Sequence, residues 1–149
     1  MKKYAWSVIL LLLLLNTGIA VAATAANWQH ACNSNNGNYS FDTNSVHTIG
    51  SDDVISAKLR LELSPTGQQA LVAHYAAKQD VSAWSSAATV ISTTAFNLKD
   101  RITTVKDTCI YDENQQLLAE IPEEEDLDMT AGSTQEKLAS ILAQWLYEN

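Results

Sequence analysis

Two cysteines, Cys32 and Cys109, and three histidines, His30, His47 and His74, are the side chains of this chain best suited to nucleophilic or metal chemistry. Cys109 stands in the stretch TVKDTCIYDENQQL, where it could act as a nucleophile, a metal ligand, a lipid anchor or half of a disulfide. A reactive thiolate needs a partly open, electropositive setting, whereas Asp107, Asp112 and Glu113 flank Cys109 and disfavour the charged form. His47 or His74 with Asp107 would be required to complete a Cys–His site. His30 and Cys32 have an H-x-C spacing that predicts one shared strand face, but a zinc site needs two further ligands and no matching pair is present. An acid–base enzyme would have to draw on His47 with Asp42 or Asp53, which no motif singles out. The sequence contains no nucleophile elbow, no phosphate-cradling glycine loop, no HExxH and no CxxC, so neither an enzyme nor a cofactor is expected.

The N-terminus sets the compartment in which these thiols live. Lys2 and Lys3 precede the apolar run Val8 to Leu15, and the small residues of Ala20-Val21-Ala22 follow, which is the pattern of a secretory signal peptide over residues 1–23. Cleavage is expected near Ala22 or Ala23, with Ala26 as a further site. The apolar core is too short to span a bilayer, and no later stretch approaches spanning length. Cys32 follows Trp28-Gln29-His30-Ala31 rather than the apolar core, which argues against lipid anchoring. Export to an oxidising compartment with two cysteines predicts a Cys32–Cys109 disulfide. The periplasm, the cell surface and the medium are all open as destinations.

Removal of the signal takes Lys2 and Lys3 with it and moves the net charge from −8 to −10. A surface of that sign argues against nucleic acid and anionic lipid as partners. The remaining chain, 24–149, is of a length for one domain with a real core.

Several elements can be read directly. In VISAKLRLEL, Ala57, Leu59, Leu61 and Leu63 alternate with Lys58, Arg60 and Glu62, as in a strand covered on one face only. Residues 33–51 are rich in turn formers around short strand-like pieces. Ser64-Pro65-Thr66-Gly67-Gln68-Gln69 predicts a helix start with Thr66 as N-cap and Gln69 completing a capping box, the helix running to Lys78 and burying Leu71, Val72 and Tyr75. Val81 to Ser86 is expected to be a loop with Trp84 tucked against apolar residues. ATVISTTAFNL and RITTVKDTCIY are rich in β-branched residues and predict strands, and 102–121 predicts a hairpin turning at Asp112 to Gln115. The run Glu123-Glu124-Glu125-Asp126 predicts a solvated loop. Ser133 and Glu136 form an S-x-x-E capping box, and Leu138, Ile141, Leu142, Trp145 and Leu146 recur at helical spacing. The fold predicted is α+β: a single antiparallel sheet with the C-terminal helix packed on one face and one shorter helix between strands.

These elements resemble a known family. Leu63 to Leu71 is similar to the strand and "GxxxL" helix start of the surface-adhesin protein E-like family of small exported bacterial proteins. Phe96 to Ile102 and Ile110 to Leu118 resemble its strand pair and hairpin, with Gln115 or Gln116 where that hairpin usually has Gly. Met129 to Leu138 resembles its entry to the last helix, with Ala131 in place of Pro. The resemblance implies an antiparallel sheet with the C-terminal helix on its concave face. It also implies an adhesin-like protein that engages extracellular or envelope proteins, and it supplies no catalytic residues. A small-ligand carrier or sensor is the alternative, with a pocket between sheet and helix lined by Tyr75, Trp84 or Trp145.

Overall fold

The structure, a computed structural model, describes residues 24–149; the expected signal peptide and its cleavage site near Ala22 or Ala23 lie outside them. β1 (Trp28–Ser34), β2 (Gly37–Asp42), β3 (His47–Ile49) and β4 (Ser51–Leu63) precede the helix α1 (Pro65–Tyr75). β5 (Ala87–Asn97), β6 (Ile102–Asp112), β7 (Leu117–Ile121) and β8 (Glu125–Asp128) precede the helix α2 (Thr134–Glu148). The eight strands form one sheet in the order β1, β2, β4, β5, β6, β7, with every pairing antiparallel. Two short strands complete it: β3 pairs with the half of β4 that β2 leaves free, and β8 does the same for β6. The fold is therefore the α+β class that the sequence predicts.

Residues directly opposite one another in antiparallel strands share a face. One such row runs Tyr39, Leu61, Val90, Ile110, Ala119, and the next runs Ser40, Arg60, Ile91, Cys109, Glu120. Both helices pack on the first face, which holds two apolar clusters. Under α2, the buried Leu138, Ala139 and Leu142 meet Phe41, Ile55, Ala57, Leu59 and Phe96. Under α1, Trp84, Ala87, Ile110 and Ile121 form the second cluster, with Leu71, Val72 and Tyr75 packed against it. No described helix lies over the other face, which is called the open face below.

The expected Cys32–Cys109 disulfide is not formed, and both thiols are free. Asp107 adopts a left-handed conformation (φ 51°) at a bulge in β6, where the register against β5 shifts. Strict alternation from Thr103 and Val105 would place Cys109 on the covered face; the bulge reverses that parity and sends it to the open face. Cys32 is buried in the cluster under α2. The strands β2, β4 and β5 lie between the two cysteines, about 19 Å at the usual strand spacing, against the 4.4–6.8 Å between Cα atoms that a disulfide spans. A second bulge separates His30, opposite Ser40, from Cys32, opposite Tyr39, so the H-x-C pair does not share a face either.

The start of α1 also differs from expectation. Ser64, not Thr66, is the N-cap: its Oγ accepts from the Gly67 N–H at 3.0 Å, and its hydroxyl donates to the Asn35 carbonyl at 2.6 Å. Pro65 explains the shift, because its fixed φ and missing N–H suit the first helical position and leave the preceding residue as the cap. The helix closes at Tyr75 rather than Lys78, and Gly67 packs on the backbone of Asn36 in the β1–β2 turn. Residues 82–86 form a 3-10 turn that buries Trp84, pinned where the Gln68 amide donates to the Ser85 carbonyl. At α2, Ser133 Oγ accepts from the Glu136 N–H at 3.2 Å. The Glu136 carboxylate reaches back to the Gly132 N–H at 2.6 Å, and Arg101 from the β5–β6 turn donates to its other oxygen at 2.7 Å. The acidic run is part strand: Glu125 to Asp128 pairs with Val105 to Ile102, because Leu127 alternates inward over Thr103. At the β6–β7 hairpin Gln115 takes the left-handed conformation (φ 62°), and the Asp112 carboxylate caps the turn from the N–H groups of Asn114 and Gln116, both at 2.8 Å.

Candidate functional site

Between the two helices the covered face is left partly bare, and this strip is a groove. Tyr39, Leu61, Val90, Ser92, Val105 and Leu127 form its floor and walls along the whole length. Toward α2 it deepens into a half-open pocket of ≈ 160 Å³ that Phe96, Thr103 and Leu138 also line. Toward α1 it opens to ≈ 360 Å³ beside Ala70, Leu71, His74 and Tyr75. The groove exists because the apolar stripe of each helix covers only its own cluster, leaving the middle of β4, β5 and β6 without a lid.

Its chemistry is apolar with interspersed hydroxyls. On β5 the inward positions are Val90, Ser92, Thr94 and Phe96, and Ser92 and Thr94 share a hydrogen bond at 3.3 Å. Thr103 is 1 % exposed, and its hydroxyl has no hydrogen-bond partner. Burial pushes the Tyr39 hydroxyl above its ordinary pKa. At the α1 end, His74 Nε2 and Glu125 lie 3.0 Å apart, and Lys78 reaches the same carboxylate at 3.8 Å. Burial, with Glu125 and Glu123 adding to it, raises the Tyr75 pKa as well.

Of the three aromatic residues predicted to line a pocket, Tyr75 lines the groove. Trp84 lies beneath it in the core, edge-on to Tyr75 at 5.4 Å between ring centroids. Trp145 is elsewhere, edge-on to Phe41 at 6.1 Å, and lines neither part of the groove. The three therefore do not converge on one pocket. The hydroxyl residues Ser92, Thr94 and Thr103 were hidden among β-branched strand formers; counting back by twos from the apolar Phe96 would have exposed the first two as inward-facing.

The remaining candidate chemistry is dispersed. Asp42 is used as a cap, its Oδ1 accepting from the N–H groups of Asn27 at 2.9 Å and Asn44 at 3.1 Å, while His47 is exposed and holds the Ser45 carbonyl at 2.8 Å. His74 lies on the covered side and Cys109 on the open face, so they make no Cys–His pair. Burial raises the pKa of the Cys32 thiol, against a smaller opposing effect of Lys137. Among the described residues there is no cluster of three or more His, Cys, Asp or Glu placed to hold a metal. The open face carries the Arg60 guanidinium 4.9 Å from the centre of the Trp28 ring and 3.2 Å from Glu62.

These features define a class: a single-sheet α+β domain with both helices on one face, a groove between them and the opposite face bare. No family model and no curated protein matches the sequence. Solved structures do match. Crystal form II of Haemophilus influenzae protein E is similar at a TM-score of 0.53 and 16% identity, over 85% of this chain and 97% of that one. The selenomethionine form of the same protein gives 0.52 and 14% identity, over 82% and 91%. The shared feature at that identity is the fold, and it spans nearly the whole of protein E.

Proposed function

We propose that this chain is an exported, non-catalytic binding module of the bacterial envelope that engages a protein partner in the manner of an adhesin. The observation that carries the reading is the open face, an extended β-surface with no described helix over it. It presents Trp28 and Arg60 beside Lys58, Lys106 and Glu120, a mixture of aromatic and charged groups suited to a polar protein interface. The fold shared with Haemophilus influenzae protein E supports it, as do the signal-peptide pattern and the dispersal of the catalytic candidates. Among the described residues no helix is long and apolar enough to cross a membrane. The test is immobilised protein against extracellular-matrix and envelope proteins, with Trp28→Ala and Arg60→Ala as open-face variants. Retained binding that both variants weaken supports the reading; absence of binding to either set refutes it.

A second reading, a small-ligand carrier or sensor, is favoured by the groove between the helices. Tryptophan fluorescence during titration with a metabolite panel tests it, because Trp84 packs edge-on against Tyr75, which lines the groove.

A further inference from the structure

The few cations of this acidic domain are not spread evenly over it. Lys58, Arg60 and Lys106 stand together on the open face. Lys58 pairs with Thr93 across β4 and β5, and Thr93 pairs with Lys106 across β5 and β6, so the two lysines flank one half-buried threonine in a single row. Two strand spacings put their Cα atoms about 10 Å apart, and both ammonium groups can reach a point above Thr93. In the next row Arg60 lies opposite Ile91. Elsewhere cations are matched within the fold, Lys78 to Glu125 and Arg101 to Glu136, and Arg60 itself to Glu62. Among the described residues neither Lys58 nor Lys106 forms an ion pair. Like charges held in one row repel, and an anion from outside the chain relieves that repulsion.

We infer that the row Lys58, Thr93, Lys106 is where the open face receives its partner, and that it takes an acidic segment of a protein. One carboxylate sits over Thr93 and accepts from both lysines, and a second lies within reach of Arg60. The rim of the patch selects a short acidic segment over a continuous polyanion. Glu62 bounds the patch beside Arg60, and Glu120, Asp126 and Asp128 bound it along β7 and β8. A nucleic acid, a sulfated glycan or an anionic bilayer would extend past the lysines and meet those carboxylates, whereas a segment with two or three acids stays inside them. The inference rests on the protein-partner reading above and adds to it the partner's chemistry and the residues that receive it.

Titration of the purified protein with a capped heptapeptide, Asp at three alternate positions and Val between them, followed by amide NMR shifts, tests it. The peptide is expected to shift the signals of Lys58, Thr93 and Lys106 and to bind at least about tenfold more tightly than the same peptide with Asn for Asp. Salt at about 0.5 M should erase most of that margin. Lys58→Gln combined with Lys106→Gln should remove the margin, while Lys99→Gln combined with Lys137→Gln, the same loss of charge outside the row, should keep it. All four lysines lie at least partly in solvent, so folding is not at stake. Absence of binding, shifts that map elsewhere, a margin that survives the Lys58 and Lys106 changes, or tighter binding of a heparin oligosaccharide or of phosphatidylglycerol vesicles would each overturn the inference. If it is overturned while a matrix or envelope protein still binds and Trp28→Ala weakens that binding, the adhesin reading stands without this row. Peptide binding at the row with no matrix or envelope protein bound would refute the adhesin reading and leave the chemistry of the row intact.

Discussion

Replacing a helical glycine by alanine ordinarily stabilises a protein by about 0.5–1 kcal/mol, yet Gly67→Ala should do the reverse here. Gly67 lies in the first turn of α1 and is buried against the β1–β2 turn. A Cβ placed on it would penetrate the Asn36 carbonyl oxygen and sit 2.7 Å from the Asn36 carbonyl carbon and 2.9 Å from its Cα. These are backbone atoms, so no flexible side chain can swing away. That oxygen also accepts the Ser64 N–H at 2.9 Å, and Ser64 is itself tied to Asn35, so retreat of the turn breaks the contacts that start the helix. Overpacking of this kind costs about 1–3 kcal/mol, and the lost hydrogen bond adds about 1. After the helical gain of the alanine, a net loss of about 1–3 kcal/mol remains, which for a domain of this size lowers Tm by about 4–12 °C. The assay is urea and thermal unfolding of Gly67→Ala beside two neighbours. Ser64→Ala should lose about 1 kcal/mol because it removes the cap, whereas Thr66→Ala, at an exposed position with no capping role, should be neutral or slightly stabilising. A Gly67→Ala protein as stable as the parent would refute the close approach, and a destabilised Thr66→Ala would return the cap to Thr66.

Three further outcomes are expected. Leu142 is fully buried under α2, so Leu142→Ala should lose about 2–5 kcal/mol and Leu142→Asp should not fold; an unchanged melting temperature for the aspartate variant would refute the packing of α2 on the sheet. In thiol labelling of the native, unreduced protein, Cys109 should react and Cys32 should react only on unfolding, with intact mass showing no disulfide to reduce; protection of both thiols until a reductant is added would contradict the topology. The Gly132 N–H and then Arg101 hold the Glu136 carboxyl below its ordinary pKa. The unfolded chain therefore takes up this proton first, near pH 4.3, and the stabilisation present above that pH is lost as pH falls through the folded value. Glu136→Gln should be less stable than the parent at pH 7, with the gap closing in acid, and a gap independent of pH from 7 to 3 would remove Glu136 from the cap.

Much of the architecture is visible in local pattern because the signals are themselves local. The alternation in VISAKLRLEL marks β4, the Ser133 cap and the stripe from Leu138 to Leu146 mark α2, and Trp84 is legible as buried because so large an apolar surface rarely stays in water. The hairpin at 102–121 follows from β-branched runs on either side of turn residues. Ser64 was less legible than Thr66 as a cap because two hydroxyl residues flank one proline, and only the position of Pro65 in the helix decides between them.

What the sequence determined by itself is a set of elements and the inward side of most of them. The tertiary structure decided which residues become neighbours, and the reason is parity and distance. Face assignment along a strand carries a period of two, so the single bulge at Asp107 turns Cys109 outward, and nothing in KDTC distinguishes a left-handed aspartate from an extended one. Strand order is not encoded locally at all, so the separation of Cys32 from Cys109 by β2, β4 and β5 had to be seen. The groove is a further step removed. It is the part of one sheet face that two helices fail to cover, and one of its walls is Leu127, which an acidic stretch that reads as loop brings there by pairing with β6 as β8.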